Sequence, residues 1–502
     1  MINKILIANR GEIALRIMRS CREMGIKSVA VFSEADRKSK HVYYADEAYF
    51  IGPSPSNESY LKVDNIIEAA KKSGADAIHP GYGFLSENAA FSDRCKAEGI
   101  IFIGPTSEVI SVMGDKISAR KKMIDSGVLV VPGTKEDIKS DEDALRIVKM
   151  VGLPVMIKAS AGGGGKGMRL VRHEKDIISG VRAAKSEALA AFGDDAVYVE
   201  KLVENPHHIE FQIVGDSHGN VVHLFERECS VQRRHQKVVE ESPSPLMTPE
   251  LREKMGTMAV TAAKAVNYVG AGTIEFLVDD ELNYYFLEMN TRLQVEHPIT
   301  EIVVGVDLVK AQIIVADGGY LPWNQQDLLQ RGHSIETRIY AEDPFNNFMP
   351  SPGIIKHITE PLGPGIRHDG YIYAGYEIPI YYDPMISKLI SWGSTRQEAI
   401  DRMKRALFNY KLSGVRTNIR YLHRIMESED FASGNYNTGF IEKNADFLLA
   451  DAENYKELED LVMIASFLYF RKQTGNNDNQ HKEECTQSNW NNYAKQIGVN
   501  RL

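Results

Sequence analysis

Several side chains that could do chemistry lie close together in residues 288–298. Glu288 and Glu296 supply carboxylates, Asn290 an amide and Arg292 a guanidinium. Carboxylate and amide oxygens suit a hard cation such as Mg²⁺, which typically takes one or two carboxylates and fills its octahedron with phosphate oxygens and water. The segment predicts a magnesium site beside a bound phosphate. The alternative is a solvated strand end that carries ordinary charges.

A hairpin brings a third carboxylate to this segment. Residues 273–278 have an apolar strand pattern, a polar turn lies within residues 279–283, and a second apolar strand follows over residues 284–287. If the turn closes with an even number of residues, Glu275 and Glu288 project from one face as diagonal neighbours, roughly 7 Å apart at Cβ. We therefore expect both carboxylates to reach one metal ion.

A glycine-rich run, Ala-Gly-Gly-Gly-Gly-Lys-Gly, occupies residues 161–167. Without side chains, its backbone N–H groups can approach an anion closely. The spacing differs from that of P-loop enzymes, because Gly167 and Met168 follow the lysine. The alternative is a flexible linker, but the run follows a strand-like segment that ends in Lys158. This arrangement favours a mobile lid over phosphates.

Residues 228–237 are dense in hydrogen-bond donors and include Gln232, His235 and Lys237. By themselves they fit a ligand-binding segment and a solvated charged loop equally well.

Bulk composition excludes several classes of protein. A chain of 502 residues exceeds what one hydrophobic core usually supports, so about three domains are expected. The net charge of -9 gives no positive footprint for nucleic acid. Four cysteines lie far apart and form no C-x-x-C pair, which favours reduced thiols in a cytosol. No apolar run approaches the roughly 18 residues of a membrane span, so we expect a cytoplasmic protein without a membrane partner.

Strand and helix patterns divide the chain into four parts. Residues 1–114 alternate strands and helices and read as a Rossmann-like domain, whose first helix places Ile13, Ile17 and Cys21 on one face. The predicted parts that follow are residues 115–330, with a lid over about 131–203; residues 331–447, with a strand at 334–340 and a helix at 396–409; and a tail at 448–502.

The tail combines an amphipathic helix with a polar linker. Its apolar stripe consists of Leu458, Leu461, Val462, Ala465 and Leu468, and Trp490, Tyr493 and Ile497 lie beyond an Asn-rich stretch. Two interpretations remain open: the tail docks a partner protein, or its helix packs on the parent domain.

Six motifs occur in the order found in one known family. They are residues 9–13 (NRGEI), 79–88 (HPGYGFLSEN), 113–116 (MGDK), the glycine run, 233–237 (RRHQK) and 288–298. On these motifs the chain resembles the biotin carboxylase family of ATP-grasp ligases from Met1 to about Asn444. The resemblance implies an α/β fold with a Rossmann-like N-terminal domain, an ATP-grasp domain with a mobile glycine-rich lid, and an α+β C-terminal domain.

The resemblance implies ATP-dependent carboxylation of biotin by bicarbonate through carboxyphosphate. The implied cofactors are ATP and Mg²⁺, with Mn²⁺ as the alternative metal, and biotin is a substrate bound to a carrier. No Met-Lys-Met biotinylation motif is present, so the expected partners are a biotin carboxyl carrier protein or domain and a carboxyltransferase subunit. A multisubunit acyl-CoA carboxylase is favoured. The alternatives are a two-subunit pyruvate carboxylase, another ATP-grasp carboxylate ligase, and a catalytically silent nucleotide-binding scaffold.

The same resemblance assigns the nucleotide site. Lys116 and Lys158 would hold phosphates under the backbone amides of Gly163, Gly164 and Gly165, and Glu275, Glu288 and Asn290 would bind the metal. Glu200, Lys201 and Leu202 would line the adenine, with His208, Gln232 and His235 near the ribose and base. Either histidine could instead be an ordinary structural side chain.

The resemblance also assigns the reacting groups. Lys237, Arg292 and the backbone of Val295 would clamp bicarbonate, and Glu296 would be the general base. Arg338 would stabilise the negative charge on the ureido ring of biotin.

Two further expectations concern packing and assembly. Thr337 stands where many relatives have Cys, which would alter only local packing. The family usually forms homodimers, and Arg16, Arg19 and Glu23 occupy positions used at that contact, although exposed charges there are also unremarkable.

Overall fold

The computed structural model describes residues 1–134, 136–160, 167–450 and 455–474. The chain divides into two units, Met1–Leu449 and Ala450–Leu502, and each is described by itself.

Five short strands and their connecting helices form the N-terminal region. These elements are β1 Lys4–Ile7, α1 Gly11–Glu23, β2 Lys27–Ser33, α2 Lys40–Tyr44, β3 Glu47–Gly52, α3 Val63–Ser73, β4 Ala77–His79, α4 Ala89–Ala97, β5 Ile101–Phe102 and α5 Ser107–Gly114. The strands pair in parallel in the order β3-β2-β1-β4-β5. Ile5 and Leu6 face different cores, because helices cover both faces of a parallel sheet. The Rossmann-like prediction is confirmed, and Ile13, Ile17 and Cys21 are buried together on α1.

A small sheet and its neighbouring helices follow. The elements are α6 Lys116–Asp125, α7 Asp141–Val151, β6 Val155–Ala159, β7 Met168–Val171, α8 Ile177–Phe192 and β8 Val197–Lys201. The strands pair in the order β7-β6-β8. Asp115 caps α6 by accepting a hydrogen bond from the backbone N–H of Ser118, which orients Lys116 at the first turn of that helix.

The next region supplies long antiparallel strands. Its elements are β9 His207–Gly215, β10 Val221–Arg233, β11 Gln236–Ser242, α9 Pro249–Ala265, β12 Gly270–Val278, β13 Tyr284–Asn290, α10 His297–Val304 and α11 Leu308–Ala316. The predicted hairpin over residues 273–287 is observed as β12 and β13. On β9, His208, Glu210 and Gln212 alternate with apolar residues and all three are buried, so one face of the sheet is polar and closed to solvent.

The C-terminal region completes this sheet. Its elements are β14 His333–Tyr340, β15 Glu342–Asp343, β16 Met349–Pro350, β17 Gly353–Ile354, β18 His357–Thr359, β19 Ile366–Gly370, β20 Glu377–Ile378, β21 Met385–Gly393, α12 Arg396–Asn409, β22 Lys411–Ser413, α13 Ile419–Glu427, α14 Glu429–Ser433, α15 Phe440–Lys443 and α16 Ala445–Leu449. The eight-stranded order is β13-β12-β9-β10-β11-β14-β21-β19. The sheet therefore runs across residue 330, where the sequence predicted a domain boundary.

The second unit contains helix α17, Tyr455–Thr474. A helix was predicted here, and Leu461, Val462 and Phe467 on it are each at least 60% exposed. Trp490, Tyr493 and Ile497 lie outside the described residues. Among the helices that are described, none combines the length and apolar character needed to cross a membrane.

Candidate functional site

The two predicted metal carboxylates are direct cross-strand partners, because Glu275 on β12 pairs with Glu288 on β13. The prediction of a diagonal pair was wrong in register. An irregularity between Glu275 and Phe276 shifts the ladder by one residue, so the turn alone does not set the pairing. Both side chains still share one face. They differ in environment, since Glu275 is 3% exposed whereas the Glu288 side chain is 39% exposed.

Glu275 accepts hydrogen bonds from four side chains. Its Oε1 accepts from Lys237 Nζ (2.9 Å), Asn290 Nδ2 (2.8 Å) and Gln294 Nε2 (2.9 Å), and its Oε2 accepts from His208 Nε2 (2.7 Å). Burial alone would raise the pKa of this carboxyl, but Lys237 and His208 hold it well below its ordinary value. The carboxylates of Glu275 and Glu288 and the amide oxygen of Asn290 are hard oxygen donors, so their chemistry fits Mg²⁺.

Lys237 lies among three buried carboxylates. Its Nζ is 2.9 Å from Glu275 and 2.7 Å from Glu296, and it also contacts Glu210. Burial alone would lower the pKa of this ammonium, but Glu210 and Glu275 raise it well above its ordinary value. The cation is therefore permanently charged and already oriented before any ligand binds.

Glu296 lies between two cations. One carboxylate oxygen is 2.7 Å from Lys237 Nζ and the other is 3.0 Å from Arg338 Nη2. Burial alone would raise the pKa of Glu296, but Lys237 and Arg338 hold it well below its ordinary value. A general base needs a higher proton affinity than this. An anionic ligand that takes over part of the charge of the two cations would raise the pKa of Glu296 and make it a base.

Arg292 reaches the same site from the loop after β13. Its Nε donates to Glu87 Oε2 at 2.9 Å and its Nη2 to Asn290 Oδ1 at 3.1 Å. The neighbouring carbonyl of Val295 accepts a hydrogen bond from Lys388 Nζ at 2.6 Å. The structure thus brings Lys237, Arg292, Glu296 and Arg338 together, linked by shared contacts, as the resemblance implied.

The lysines predicted to hold phosphates have separate partners. Lys116 Nζ lies 3.9 Å from Glu288 Oε2, so this lysine belongs to the metal side of the site. Lys158 Nζ donates to Glu200 Oε2 at 2.5 Å, and Arg120 Nη1 donates to the other oxygen of Glu200 at 2.8 Å. The Glu200 side chain is therefore neutralised by two cations. Gly163, Gly164 and Gly165, predicted to cap the phosphates, lie outside the described residues.

The predicted adenine strand is already hydrogen-bonded. The backbone N–H of Lys201 donates to Pro132 O at 2.7 Å, and that of Leu202 donates to Pro154 O at 3.1 Å. The Lys201 ammonium donates to the carbonyl of Gly152 at 3.0 Å. Contacts from these two residues to a base would have to use atoms other than these donors.

The donor-rich segment forms the hairpin of β10 and β11 rather than a solvated loop. Only its turn is open to solvent, where Arg234 and His235 have φ angles of 50° and 63°. Gln232 Nε2 donates to His208 Nδ1 at 2.8 Å, which fixes the imidazole against Glu275. His208 therefore contacts the predicted metal ligand directly.

Five residues that the sequence prediction omitted support the site. They are Glu87, Glu210, Glu240, Gln294 and Lys388. A signal existed for Glu210, because polar residues that alternate with apolar ones on a strand line one face. Glu87 lies near the end of the predicted motif at 79–88, but its partner Arg292 is remote in sequence, so only the fold reveals the contact.

Two packing expectations have clear outcomes. Thr337 is fully buried and its hydroxyl donates to Leu389 O at 3.4 Å, so it does not face the site. Arg16 is not an exposed charge: its Nη2 lies 2.6 Å from Glu301 and 2.9 Å from Asp307. The Arg19 and Glu23 side chains are 43% and 62% exposed.

Family profiles match three successive parts of the chain. "Biotin carboxylase, N-terminal domain" matches residues 1–110, "Carbamoyl-phosphate synthase L chain, ATP binding domain" matches residues 115–324, and "Biotin carboxylase C-terminal domain" matches residues 336–443. Together with the antiparallel sheet and its cluster of acids and cations, these matches define an ATP-grasp ligase. More specifically, the chain belongs to the biotin carboxylase family of enzymes.

Relatives and solved structures agree over most of the chain. "Biotin carboxylase 1" of Bacillus subtilis is 54% identical over 88% of this chain and 98% of that protein. A pyruvate carboxylase subunit of Methanothermobacter thermautotrophicus is 55% identical over 88% and 90%. The biotin carboxylase domain of Hydrogenobacter thermophilus 2-oxoglutarate carboxylase, solved as a dimer with MgADP and bicarbonate, has a TM-score of 0.86 at 49% identity and covers 89% of this chain and 99% of that one.

Proposed function

We propose that this enzyme carboxylates carrier-bound biotin with bicarbonate and ATP through a carboxyphosphate intermediate. The observation that carries the proposal is the position of Glu296, 2.7 Å from Lys237 and 3.0 Å from Arg338. Such a buried base flanked by cations suits a small oxyanion whose proton must be removed. The solved Hydrogenobacter relative binds MgADP and bicarbonate, which supports the same ligands here.

In the first step Lys237, Arg292 and the backbone N–H of Val295 hold bicarbonate. Glu296 takes its proton once the anion has drawn charge from Lys237 and Arg338. A bicarbonate oxygen then bonds to the γ-phosphorus while the bond from that phosphorus to the ADP oxygen breaks. Positioning and charge neutralisation dominate such a transfer.

The nucleotide phosphates would contact Lys116 and Lys158. Glu275, Glu288 and Asn290 would hold Mg²⁺, which neutralises phosphate charge when bound. Because Lys116 already lies 3.9 Å from Glu288, the lysine and the metal would bind adjacent phosphate oxygens. Lys158 must exchange its contact with Glu200 for the phosphate.

In the second step carbon dioxide passes to the ureido nitrogen of biotin. Arg338 would stabilise the negative charge that develops on the ureido oxygen, and its guanidinium is buried and permanently charged. We propose that biotin arrives on a separate carrier and that a carboxyltransferase subunit uses the product. A homodimer with Arg19 and Glu23 near its contact completes the proposed assembly.

The final acceptor of the carboxyl group would bind the carboxyltransferase partner. We propose an acyl-CoA carboxylase, and a two-subunit pyruvate carboxylase is the second candidate because the Methanothermobacter relative, 55% identical, belongs to a pyruvate carboxylase. Sequencing the proteins that co-purify with the chain decides between them. A carboxyltransferase of the acyl-CoA type supports the first, and one of the pyruvate type supports the second.

We propose that residues 448–502 dock one of these partners. Helix α17 exposes Leu461, Val462 and Phe467, and a helix that is apolar on several sides needs a partner to exclude water. Deleting the tail should reduce co-purification of carrier or carboxyltransferase. Undiminished co-purification would instead support a helix that packs on its parent domain.

The half-reaction is tested by ADP release with bicarbonate, with and without free biotin. We expect release that depends on bicarbonate and increases with biotin. Release that responds to another carboxylate but not to bicarbonate would point to a different ATP-grasp ligase. Nucleotide binding without any ADP release would point to a silent scaffold.

A further inference from the structure

Each of the two arginines at the reacting centre is held by its own carboxylate. Arg338 Nε donates to Glu240 Oε1 at 2.7 Å, and Arg292 Nε donates to Glu87 Oε2 at 2.9 Å. We propose that Glu240 is the positioning residue of Arg338 for biotin, and that Glu87 is the positioning residue of Arg292 for bicarbonate. This inference rests on the roles of the two arginines in the proposed function.

Arg338 needs a second anchor because its other partner changes charge. Its Nη2 bridges Glu240 Oε1 at 2.6 Å and Glu296 Oε2 at 3.0 Å. When Glu296 takes the proton of bicarbonate, it becomes neutral and its attraction for the guanidinium weakens. Glu240 is fully buried on β11, next to the strand that carries Arg338, and takes no part in that proton transfer. It keeps Arg338 aimed at the site during the second step.

The surroundings of Glu240 explain why one negative charge resides there. Glu336 is its direct cross-strand partner, and both side chains are fully buried. Neither oxygen of Glu336 has a hydrogen-bond partner among the residues described, whereas Glu240 Oε1 has Arg338. Two buried carboxyls this close cannot both ionise. The charge therefore lies on Glu240, and burial keeps the pKa of Glu336 well above its ordinary value.

Glu87 has a comparable geometry on the opposite side of the site. Its Oε1 accepts the backbone N–H of Thr291 at 3.1 Å, while its Oε2 holds Arg292. It lies in the N-terminal region, 205 positions away from Arg292 in the sequence. Without Glu87, Arg292 would retain only the single contact to Asn290 and the longer one to Leu293 O at 3.3 Å, among the residues described. Its side chain would then be free to leave bicarbonate.

The test compares Glu240→Gln and Glu87→Gln in the full-length chain. ADP release is measured over a range of bicarbonate concentrations, first without biotin and then with free biotin. We expect Glu240→Gln to lower the ratio of biotin-stimulated to biotin-free release about tenfold. We expect Glu87→Gln to raise the bicarbonate KM about tenfold with little change in that ratio.

Matched variants separate positioning from general damage. In Glu98→Gln an acid outside the site loses an arginine, Arg94, whose Nε it accepts at 2.9 Å, and both readouts should stay at wild-type values. Glu240→Asp keeps the charge and should recover part of the biotin response, which misfolding would not allow. Equal losses of both readouts in the two Gln variants would overturn the proposal. If the wild-type enzyme shows no biotin response at all, the proposed function fails and this inference fails with it.

Discussion

The bicarbonate and nucleotide ends of the site differ in how completely the chain builds them by itself. At the bicarbonate end, Lys237 contacts Glu275 and Glu296 at 2.9 and 2.7 Å, and these side chains are 12% exposed or less. At the nucleotide end, Lys116 and Glu288 are 25% and 39% exposed and lie 3.9 Å apart. One end is assembled from buried ion pairs, whereas the other is open to solvent.

This difference follows from what each end must bind. Bicarbonate is small and supplies little binding energy, so the groups that hold it must be ordered in advance. ATP with its metal brings several charges and many atoms, and can itself order loosely held side chains. The buried end therefore contributes to stability as well as to catalysis, whereas the open end contributes mainly to binding.

Removing the base should have the largest effect. Glu296→Gln keeps the shape of the side chain but cannot take a proton, so bicarbonate-dependent ADP release should fall by about 10²–10⁴-fold. Binding of MgADP, measured by calorimetry, should persist because the open end is intact. An enzyme that keeps its wild-type rate would remove Glu296 from the role of base.

Exchanging a lysine at each end should separate stability from binding. Lys237→Met leaves buried Glu210, Glu275 and Glu296 without their shared cation, which should cost roughly 3–5 kcal/mol of folding free energy. Lys116→Met removes a partly exposed charge and should leave the thermal midpoint almost unchanged while weakening nucleotide binding. Equal midpoints for the two variants would contradict the difference between the two ends.

The metal requirement should respond at the open end. Glu288→Gln removes one anionic oxygen donor, so the Mg²⁺ concentration for half-maximal ADP release should rise roughly tenfold, with the thermal midpoint unchanged. Glu281→Gln is the control, because Glu281 is an exposed acid in the turn of the same hairpin. A similar rise in both variants would show a general charge effect instead of a metal ligand.

The smallest expected effect is in the pH profile. Burial raises the pKa of Glu240 to about 7 although Arg338 lowers it, and Glu296, Lys237 and Glu336 are its other charged or titratable neighbours. The raised value means that the charged form, which holds Arg338, is present above about pH 7 and is lost as the pH falls. The ratio of biotin-stimulated to biotin-free ADP release should therefore fall severalfold between about pH 8 and about pH 6.

Glu240→Gln carries no titrating group at this position, so its ratio should be low and independent of pH over the same range. A wild-type ratio that does not change with pH would contradict the assignment of the negative charge to Glu240.

The sequence allowed the prediction of the class of fold and the cluster of reacting residues, because strand and helix periodicities and local motifs are properties of neighbouring residues. It missed contacts between remote residues, such as those of Glu87 with Arg292 and of Lys388 with Val295. The cross-strand register of Glu275 was wrong because a local irregularity cannot be read from an apolar pattern. The predicted domain limits and the individual ligand contacts stay predictions.

The continuous sheet also determines how the chain can fold. Strands β11 and β14 pair over four residues, from Val239 with Thr337 to Ser242 with Ser334, although they lie on opposite sides of residue 330. Cutting the chain there would leave each piece with a bare strand edge, and such edges pair with other molecules. We therefore expect the two pieces to aggregate when made separately, so that insertions and fusions are better tolerated after residue 449 than at the apparent joint.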